Sequence, residues 1–553
     1  MHGVPLGDHA EDRSAGGTAR GAISRPGVLA LKHPRLSSLA LGALAATGYP
    51  PLYLWPLALA AMVGFVWLAW RSSNARGAFL GGWLFGVAHF TVTNNWIATA
   101  FTYQAEMPAA LGWAAVPLLS LYLAVWPGLA VLAAWGLARR GGLAAFSLAL
   151  GAMWVAAEWF RSWVFTGYAW GPFSLALMGP WDRAAAGRLL PFTGTYALSG
   201  LLVAACGLAA VLVLRRRIVP LLMLGAGTAL VVLWPSDRGL QGSLPLTLVQ
   251  PNLQQDEMND PARFEAQFQR IGALSLPQRE IDRRLVLWPE SGIPDYLREG
   301  YPQRYYDQMT AGGDPEFARF RIGKVIGPGS LLLTGAVDLE IGERDGRPAA
   351  VGAYNSVTPV AADGTLGERY AKAHLVPYGE YLPLRGILEP LGLSRLVAGK
   401  VDFLPGPGPR TVDLGAWGGA GMQICYEIVF SGEVVEPGNR PDYLFNPSND
   451  GWFGSFGPPQ HLGQARMRAA EEGLPVLRAT TTGISAVIDA RGVVRQAIGR
   501  NVADRIDTAV PPAKAPTLFA RLGHWLTLLW GVILLIASLI AKRRQAEYRA
   551  RQT

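Results

Sequence analysis

The stretch Leu287-Trp288-Pro289-Glu290-Ser291 ends an apolar run at 284–288. It is followed in the chain by Tyr370-Ala371-Lys372-Ala373-His374 and Gln423-Ile424-Cys425-Tyr426-Glu427. Around these three stretches, short strand-like runs recur at 245–250, 284–288, 330–339, 353–361, 419–425, 442–446, 475–480 and 484–489. Helical patterns lie between several of them, as at 261–274 and 459–473. Strands alternating with helices predict an α/β domain with buried sheets. Breaker-rich linkers bound it, Pro235-Ser236-Asp237-Arg238-Gly239 before and Pro511-Pro512-Ala513-Lys514-Ala515-Pro516 after. Periodicity alone does not say which α/β fold this is.

The chemistry follows from residue types at strand ends. Gly421-Met422-Gln423-Ile424 is an apolar run that Cys425 closes before a polar turn, which presents the sulfur at the end of a sheet. A free thiol titrates near ~8.5 and needs a neighbouring cation or base to act as a nucleophile. Lys372 could supply positive charge to the thiolate and later to a tetrahedral oxyanion. Glu290 could take the thiol proton and pass it to the leaving group, and the Tyr426 main-chain N–H is a second oxyanion donor. Taken singly, each has an ordinary reading: a cysteine packs, and a glutamate or lysine is solvated.

The rest of the chain sets this block in a membrane. Half of the residues are hydrophobic, only 16% are charged and there are 19 Trp, with a mean hydropathy of +0.22. That is too apolar for an ordinary soluble chain of this size. A span needs about 20 mostly apolar residues, and candidates lie at 35–50, 52–70, 77–97, 110–137, 143–163, 191–214, 218–235 and 521–541. Arg71 and Arg76, Arg139 and Arg140, and Arg215, Arg216 and Arg217 fall in alternate connections, which the positive-inside rule places in the cytoplasm. The net charge of +9 therefore reads as topology, not as nucleic-acid binding.

The expected organisation is a polar cytoplasmic leader at 1–34, a membrane domain of about seven helices at 35–235, and a periplasmic catalytic domain at 245–508. A last span at 521–541 and a basic cytoplasmic tail at 542–553 follow. Arg161, Arg183 and Arg188 break the charge rule, because they sit in or beside a connection expected outside. Ala43-Leu44-Ala45 could pass for a signal-peptidase site, but a 34-residue polar leader is long for a signal peptide, so an uncleaved first span is expected.

The three quoted stretches, in this order, resemble the active site of carbon-nitrogen hydrolases of the nitrilase superfamily, whose domains are four-layer α-β-β-α sandwiches. Further motifs narrow the match: Ser448-Asn449-Asp450-Gly451-Trp452-Phe453-Gly454, Gln460-His461, Ala465-Arg466-Met467-Arg468-Ala469 and Thr482-Gly483-Ile484-Ser485-Ala486. With the eight-span frame, they resemble the bacterial apolipoprotein N-acyltransferase family. That resemblance implies transfer of an acyl chain from a membrane phospholipid to the α-amino group of a lipoprotein's diacylglyceryl-cysteine, in the inner membrane, without a cofactor. It implies Glu290 as general base, Lys372 as stabiliser of the tetrahedral intermediates and Cys425 as the nucleophile that becomes a thioester. Glu380 and Glu427 match supporting acidic positions, and Tyr426, Trp452 and Phe453 match residues near the substrate.

The chain departs from the family pattern at Gly292, at Thr480-Thr481-Thr482-Gly483 and at Pro251-Asn252. A membrane amidase with water as acceptor would use the same trio, and a transporter or scaffold with a degenerate hydrolase domain is a third reading. The seven His and two Cys show no metal-ligand spacing, so no metal site is expected. A monomer is expected.

Several features are left over. Phe165, Tyr168, Trp170, Phe173 and Trp181 suggest an interfacial aromatic belt. The apolar stretch Leu384, Ile387, Leu388, Leu391, Leu393, Leu396 and Val397 suggests either a lid or a packed surface helix. Glu158 and Arg161, three apart on a span, could pair at its outer end. Cys206, inside a span, reads as packing, and Pro405-Gly406-Pro407-Gly408-Pro409 as turns.

Overall fold

The computed structural model describes residues 32–103, 108–236, 239, 241–279, 282–391 and 401–552. The apolar stretches of the first half are helical: Pro34–Ala46, Trp55–Trp70, Ala75–Thr93, Leu111–Leu123, Val125–Ala138, Gly142–Trp163, Thr195–Leu214 and Ile218–Leu233. His524–Ala550 closes the chain and runs past the expected 541 into the basic tail, where Lys542 Nζ donates to the Leu137 carbonyl at 2.7 Å.

Three helical stretches among the described residues are long and apolar enough to cross a membrane: Leu111–Trp163, Thr195–Leu214 and His524–Ala550. The chain is a membrane protein. Leu111–Trp163 has 53 residues, far more than one crossing needs. It bends back at Arg139–Gly141, so that Val125–Ala138 packs on Gly142–Trp163. The first expected span is shorter than read, since Pro34–Ala46 has 13 residues, ~20 Å of helix against ~30 Å of hydrocarbon.

Small residues let these helices touch backbone to backbone. A Cβ on Gly200 would lie 2.5 Å from the Gly151 carbonyl oxygen, and one on Gly42 would lie 2.1 Å from that of Phe85. Apolar helices in lipid have little hydrophobic reason to associate, so such close approach supplies the packing energy.

The second half holds two six-stranded sheets. One is ordered β12-β1-β2-β3-β4-β5, from β1 (Pro245–Gln250), β2 (Arg284–Leu287), β3 (Ser330–Arg344), β4 (Arg347–Ala361), β5 (Tyr370–Ala371) and β12 (Asp504–Ala509). The other is ordered β11-β10-β9-β8-β7-β6, from β6 (Thr411–Asp413), β7 (Gly419–Met422), β8 (Tyr443–Ser448), β9 (Val476–Thr480), β10 (Ser485–Ile488) and β11 (Val494–Ile498). Their facing sides form one core that includes Leu248, Leu285, Leu287, Met422, Phe445 and Leu477.

Val286, Trp288 and Leu332 point the other way, onto helices Phe264–Ser275 and Pro315–Ile326. Leu444, Val476 and Ile488 pack on helix Gly457–Glu472. This is the α-β-β-α sandwich, and burial on both faces explains why β2 reads as an unbroken apolar run.

Two strands are longer than read. β3 and β4 continue as a hairpin through Glu343, Arg344 and Arg347 to an Asp345-Gly346 turn, both residues with positive φ (53° and 71°). An Asp-Gly pair of this kind matches the strand twist. The outer half of the hairpin is solvated, so the ladder outlasts the hydrophobic pattern. The edge strands β11 and β12 escape the pattern for the same reason, being half-exposed and rich in Arg, Gln and Asp.

Helix Gly457–Glu472 is buried along its whole length, because sheet and membrane helices cover opposite sides of it. Its polar residues serve the contact: Gln460 accepts from Trp170 Nε1 at 2.8 Å and donates to the Thr93 carbonyl, and Arg466 donates to the carbonyls of Gly179 and Pro180. The suggested aromatic belt is thereby corrected for Trp170 and Phe173. Trp170 and Phe173 are only 1% and 2% exposed, Trp170 packed against the α/β domain and Phe173 inside the helical core, while Phe165 is 85% exposed.

The Glu158–Arg161 pair does not form either. Glu158 accepts from Trp154 Nε1 and Phe173 N, and Arg161 donates to the Tyr168 and Trp170 carbonyls at 2.9 Å each. Arg183 and Arg188 likewise donate to the Leu233, Trp234 and Pro235 carbonyls. Each of the three arginines that break the charge rule thus donates to main-chain carbonyls within the fold, Arg188 also donating to Ser236 Oγ and Arg183 lying 3.5 Å from Asp182.

Candidate active site

Strand ends from both sheets converge. β2 runs through Trp288-Pro289 to Glu290, β5 leads into Lys372 and β7 leads to Cys425, which opens the short helical turn Cys425–Val429 with φ 50°. A non-glycine residue rarely adopts this left-handed conformation. Gly335 on β3 is needed for Glu290, since a Cβ there would lie 2.6 Å from the Glu290 Cα.

The three side chains lie together and are buried: Glu290 is 7% exposed, Lys372 1% and Cys425 6%. Lys372 Nζ is 3.8 Å from Glu290 Oε1 and 2.8 Å from Glu380 Oε2. Asn355 Nδ2 donates to Glu290 Oε1 at 2.7 Å and to Glu380 Oε1 at 2.9 Å, while the Asn449 N–H donates to Glu290 Oε2 at 2.7 Å. Both carboxylates therefore face donors and one ammonium. Burial disfavours the Lys372 charge, but Glu380 and Glu290 outweigh burial and hold the ammonium well above its ordinary range. Burial and the nearby Glu290 push the Cys425 thiol up, with Lys372 pulling the other way. The resting sulfur is therefore a thiol, and its proton must be taken as it attacks.

Glu427 works on main chain. It accepts from Tyr370 Oη at 2.9 Å and from the N–H groups of Ala373, His374 and Ile424 at 2.7, 3.1 and 2.7 Å. One carboxyl thus ties the segment after Lys372 to the residue before Cys425. Burial raises its pKa to about 7, against Lys372 and these donors, which pull it down.

Between 4.5, its ordinary value, and about 7 the folded chain holds this proton and the unfolded chain does not. The stability it contributes is complete below about 4.5 and is lost as pH rises through about 7. The melting temperature of wild type relative to Glu427→Gln is therefore expected to fall between pH 5 and pH 7.5, and a difference that rises over that range would refute the assignment.

Tyr426 is buried, 6.5 Å from the Trp170 ring and edge-on to Phe430 at 5.1 Å. Phe453 packs on Trp96, Trp170 and His461 at 4.7, 5.5 and 5.5 Å, and Trp452 meets Tyr103 at 6.0 Å. These aromatics join the catalytic domain to the membrane helices. Of the apolar stretch after Leu382, Leu384 and Ile387 are 70% and 62% exposed, and Leu393, Leu396 and Val397 lie outside the described residues. Cys206 packs in the helical core. Among the described residues no cluster of His, Cys, Asp or Glu could hold a metal ion.

Asn355 and Asn449 were missed as functional candidates. An asparagine on a strand or at a turn has no signature until the fold sets a carboxylate in front of it.

Two family models match the chain: an apolipoprotein N-acyltransferase N-terminal domain over residues 41–208 and a carbon-nitrogen hydrolase over residues 246–515. The chain is similar to the apolipoprotein N-acyltransferase of Rhodopseudomonas palustris, 34% identical with 95% of this chain and 99% of the relative covered. It is also similar to that of Azotobacter vinelandii, 33% identical with 96% and 98% covered.

Proposed function

Since this chain belongs to the apolipoprotein N-acyltransferase family and is an acyltransferase of lipoproteins, we propose that it works through a thioester on Cys425, with a membrane phospholipid as donor. Glu290 takes the thiol proton as the sulfur attacks the ester carbonyl, and Lys372 and the Tyr426 N–H hold the oxyanion. Collapse breaks the ester bond, and Glu290 returns the proton to the departing lysophospholipid oxygen. The α-amine of the diacylglyceryl-cysteine then attacks the thioester, Glu290 accepts an amine proton, and the amide forms as the thiolate leaves and is reprotonated.

Glu380 keeps Lys372 charged and in place, Glu427 ties the two loops, and Trp452 and Phe453 lie on the substrate side. The observation that carries this reading is Lys372, buried between Glu380 at 2.8 Å and Glu290 at 3.8 Å and charge-coupled to the Cys425 thiol.

The frame we propose has about eight crossings, both termini cytoplasmic, the first span uncleaved, the catalytic domain periplasmic and the protein monomeric. Alternate Arg-bearing connections support this topology, and the three exceptions donate to main-chain carbonyls within the fold. A donor whose ester lies at the interface need not leave the bilayer, a saving of about 0.8 kcal/mol per CH₂ kept buried. Exposed Leu384 and Ile387 are available to acyl chains.

The test is intact-protein mass spectrometry after incubation with phospholipid, followed by a diacylglyceryl-cysteine peptide. The expected result is an acyl-sized gain that moves to the peptide amine. Loss of that gain only to water would establish an amidase-like hydrolase instead.

A further inference from the structure

Against the main chain of the nucleophile lies a fully buried polar cluster to which the proposed mechanism gives no role. Asn446, Asp450, His461 and Arg478 are at most 2% exposed. Arg478 Nη2 donates to both Asp450 carboxylate oxygens at 2.7 Å and lies 3.0 Å from His461 Nδ1, and Arg478 Nη1 donates to Asn446 Oδ1. On the other side, His461 Nε2 is 3.1 Å from the Cys425 carbonyl oxygen, and Asn446 Nδ2 donates to the Gln423 and Cys425 carbonyls at 2.6 and 3.3 Å.

Hydrogen positions follow from what each group can do. A guanidinium only donates, so Asn446 must turn its oxygen to Arg478 and its N–H₂ to the two carbonyls. The Cys425 carbonyl only accepts, so His461 Nε2 facing it must carry a proton, and in the neutral ring Nδ1 is then an acceptor that shares the two Nη2 hydrogens of Arg478 with Asp450. Asp450 Oδ1 is 3.1 Å from Nδ1, and a proton there would suit it. That proton would clash with the Arg478 donor, and in a cationic ring it would add a second buried positive charge. The neutral ring, protonated at Nε2, satisfies both the guanidinium and the nucleophile's carbonyl.

We infer that His461 and Asn446 are positioning residues that hold Cys425 in its left-handed conformation by gripping its carbonyl, with Arg478 and Asp450 orienting both. The conformation at φ 50° is unfavourable for a cysteine and persists only where neighbours impose it. The grip imposes it from two sides, and the sulfur's aim toward Glu290 and Lys372 depends on it. Gly483 makes room for the cluster, because a Cβ there would lie 2.3 Å from Asp450 Oδ2. None of the four side chains touches the reacting atoms.

This inference rests on the thioester reading, and the experiment separates their failures. Single-turnover acylation of Cys425 by phospholipid is followed by intact mass in wild type, His461→Ala and His461→Gln. If wild type shows no mass gain, the thioester reading fails and the clamp fails with it as a catalytic device.

With wild type active, His461→Ala is expected to lower the maximal acylation rate about 100-fold, the scale of an ångström-sized misplacement. The half-saturating phospholipid concentration should stay within about twofold. His461→Gln, which keeps an N–H donor, is expected to recover at least tenfold of that loss. Wild-type rate in His461→Ala, a change confined to half-saturation, or a glutamine variant no better than alanine would each overturn the clamp.

Should His461→Ala not fold, His461→Met replaces it as the variant without a donor. Selective ¹⁵N-histidine spectra of wild type add a readout free of substitution: His461 is expected as the Nε2–H tautomer, and a proton on Nδ1 would refute the hydrogen-bond scheme.

Discussion

Cys425→Ala is expected to lose the acyl mass gain completely, a drop on the order of 10⁴-fold or more in turnover, as befits a covalent nucleophile. Cys206→Ala should retain both the gain and the transfer. The pair is a controlled comparison, since both cysteines are buried and unpaired and each substitution removes one sulfur. Cys425 stands at the end of β7 with a strained backbone and two charged neighbours, whereas Cys206 is surrounded by helical core. Alanine at 425 also leaves Lys372 and Glu290 paired, so the protein should fold and melt much as wild type does. Equal activity in the two variants would sink the nucleophile assignment.

Lys372→Met is expected to be costly in stability as well as in rate. The ammonium is 1% exposed and neutralises two buried carboxylates, Glu380 at 2.8 Å and Glu290 at 3.8 Å. Removing one partner of a buried ion pair strands the other and destabilises by about 3–5 kcal/mol. Acylation by the fraction that remains folded should fall by roughly 10²–10³, the scale of a lost oxyanion donor.

The informative comparison is Lys372→Met with Glu380→Gln added. The double variant should recover part of the stability, because one stranded charge is gone, yet remain slow, because nothing replaces the cation at the oxyanion. Unfolding midpoints and acylation rates measured on the same samples check both halves. A Lys372→Met protein as stable and as fast as wild type would overturn the role given to the lysine.

The α/β domain and the stretches that carry the candidate residues were readable for a physical reason, whereas the paired sheets followed only from the family resemblance. Strands buried on both faces are continuous apolar runs, and the reactive residues sit where those runs stop, as at Leu287-Trp288-Pro289-Glu290 and Met422-Gln423-Ile424-Cys425. Glu380 and Glu427 followed only from the family resemblance. β11, β12 and the outer half of the β3–β4 hairpin were not readable, because solvated edges keep their hydrogen bonds without keeping an apolar pattern. Membrane helices were misjudged in length for the converse reason. Hydropathy continues through Gly48 and Tyr49, while the helix stops at Ala46.

The sequence by itself carried the family resemblance, the division into apolar helices and an α/β domain, and the placing of Glu290, Lys372 and Cys425 as a proposed set, because apolarity, breakers and reactive residue types are properties of the chain. Only the tertiary structure decided which polar groups meet. Asn355 spans two carboxylates from β4, Arg161, Arg183 and Arg188 donate to main-chain carbonyls, and Arg478, on β9, holds two donors against the carbonyl of Cys425, 53 residues earlier in the chain. Hydrogen bonds are short-ranged and directional, so nothing along the sequence encodes them until folding brings the donor and acceptor within about 3 Å.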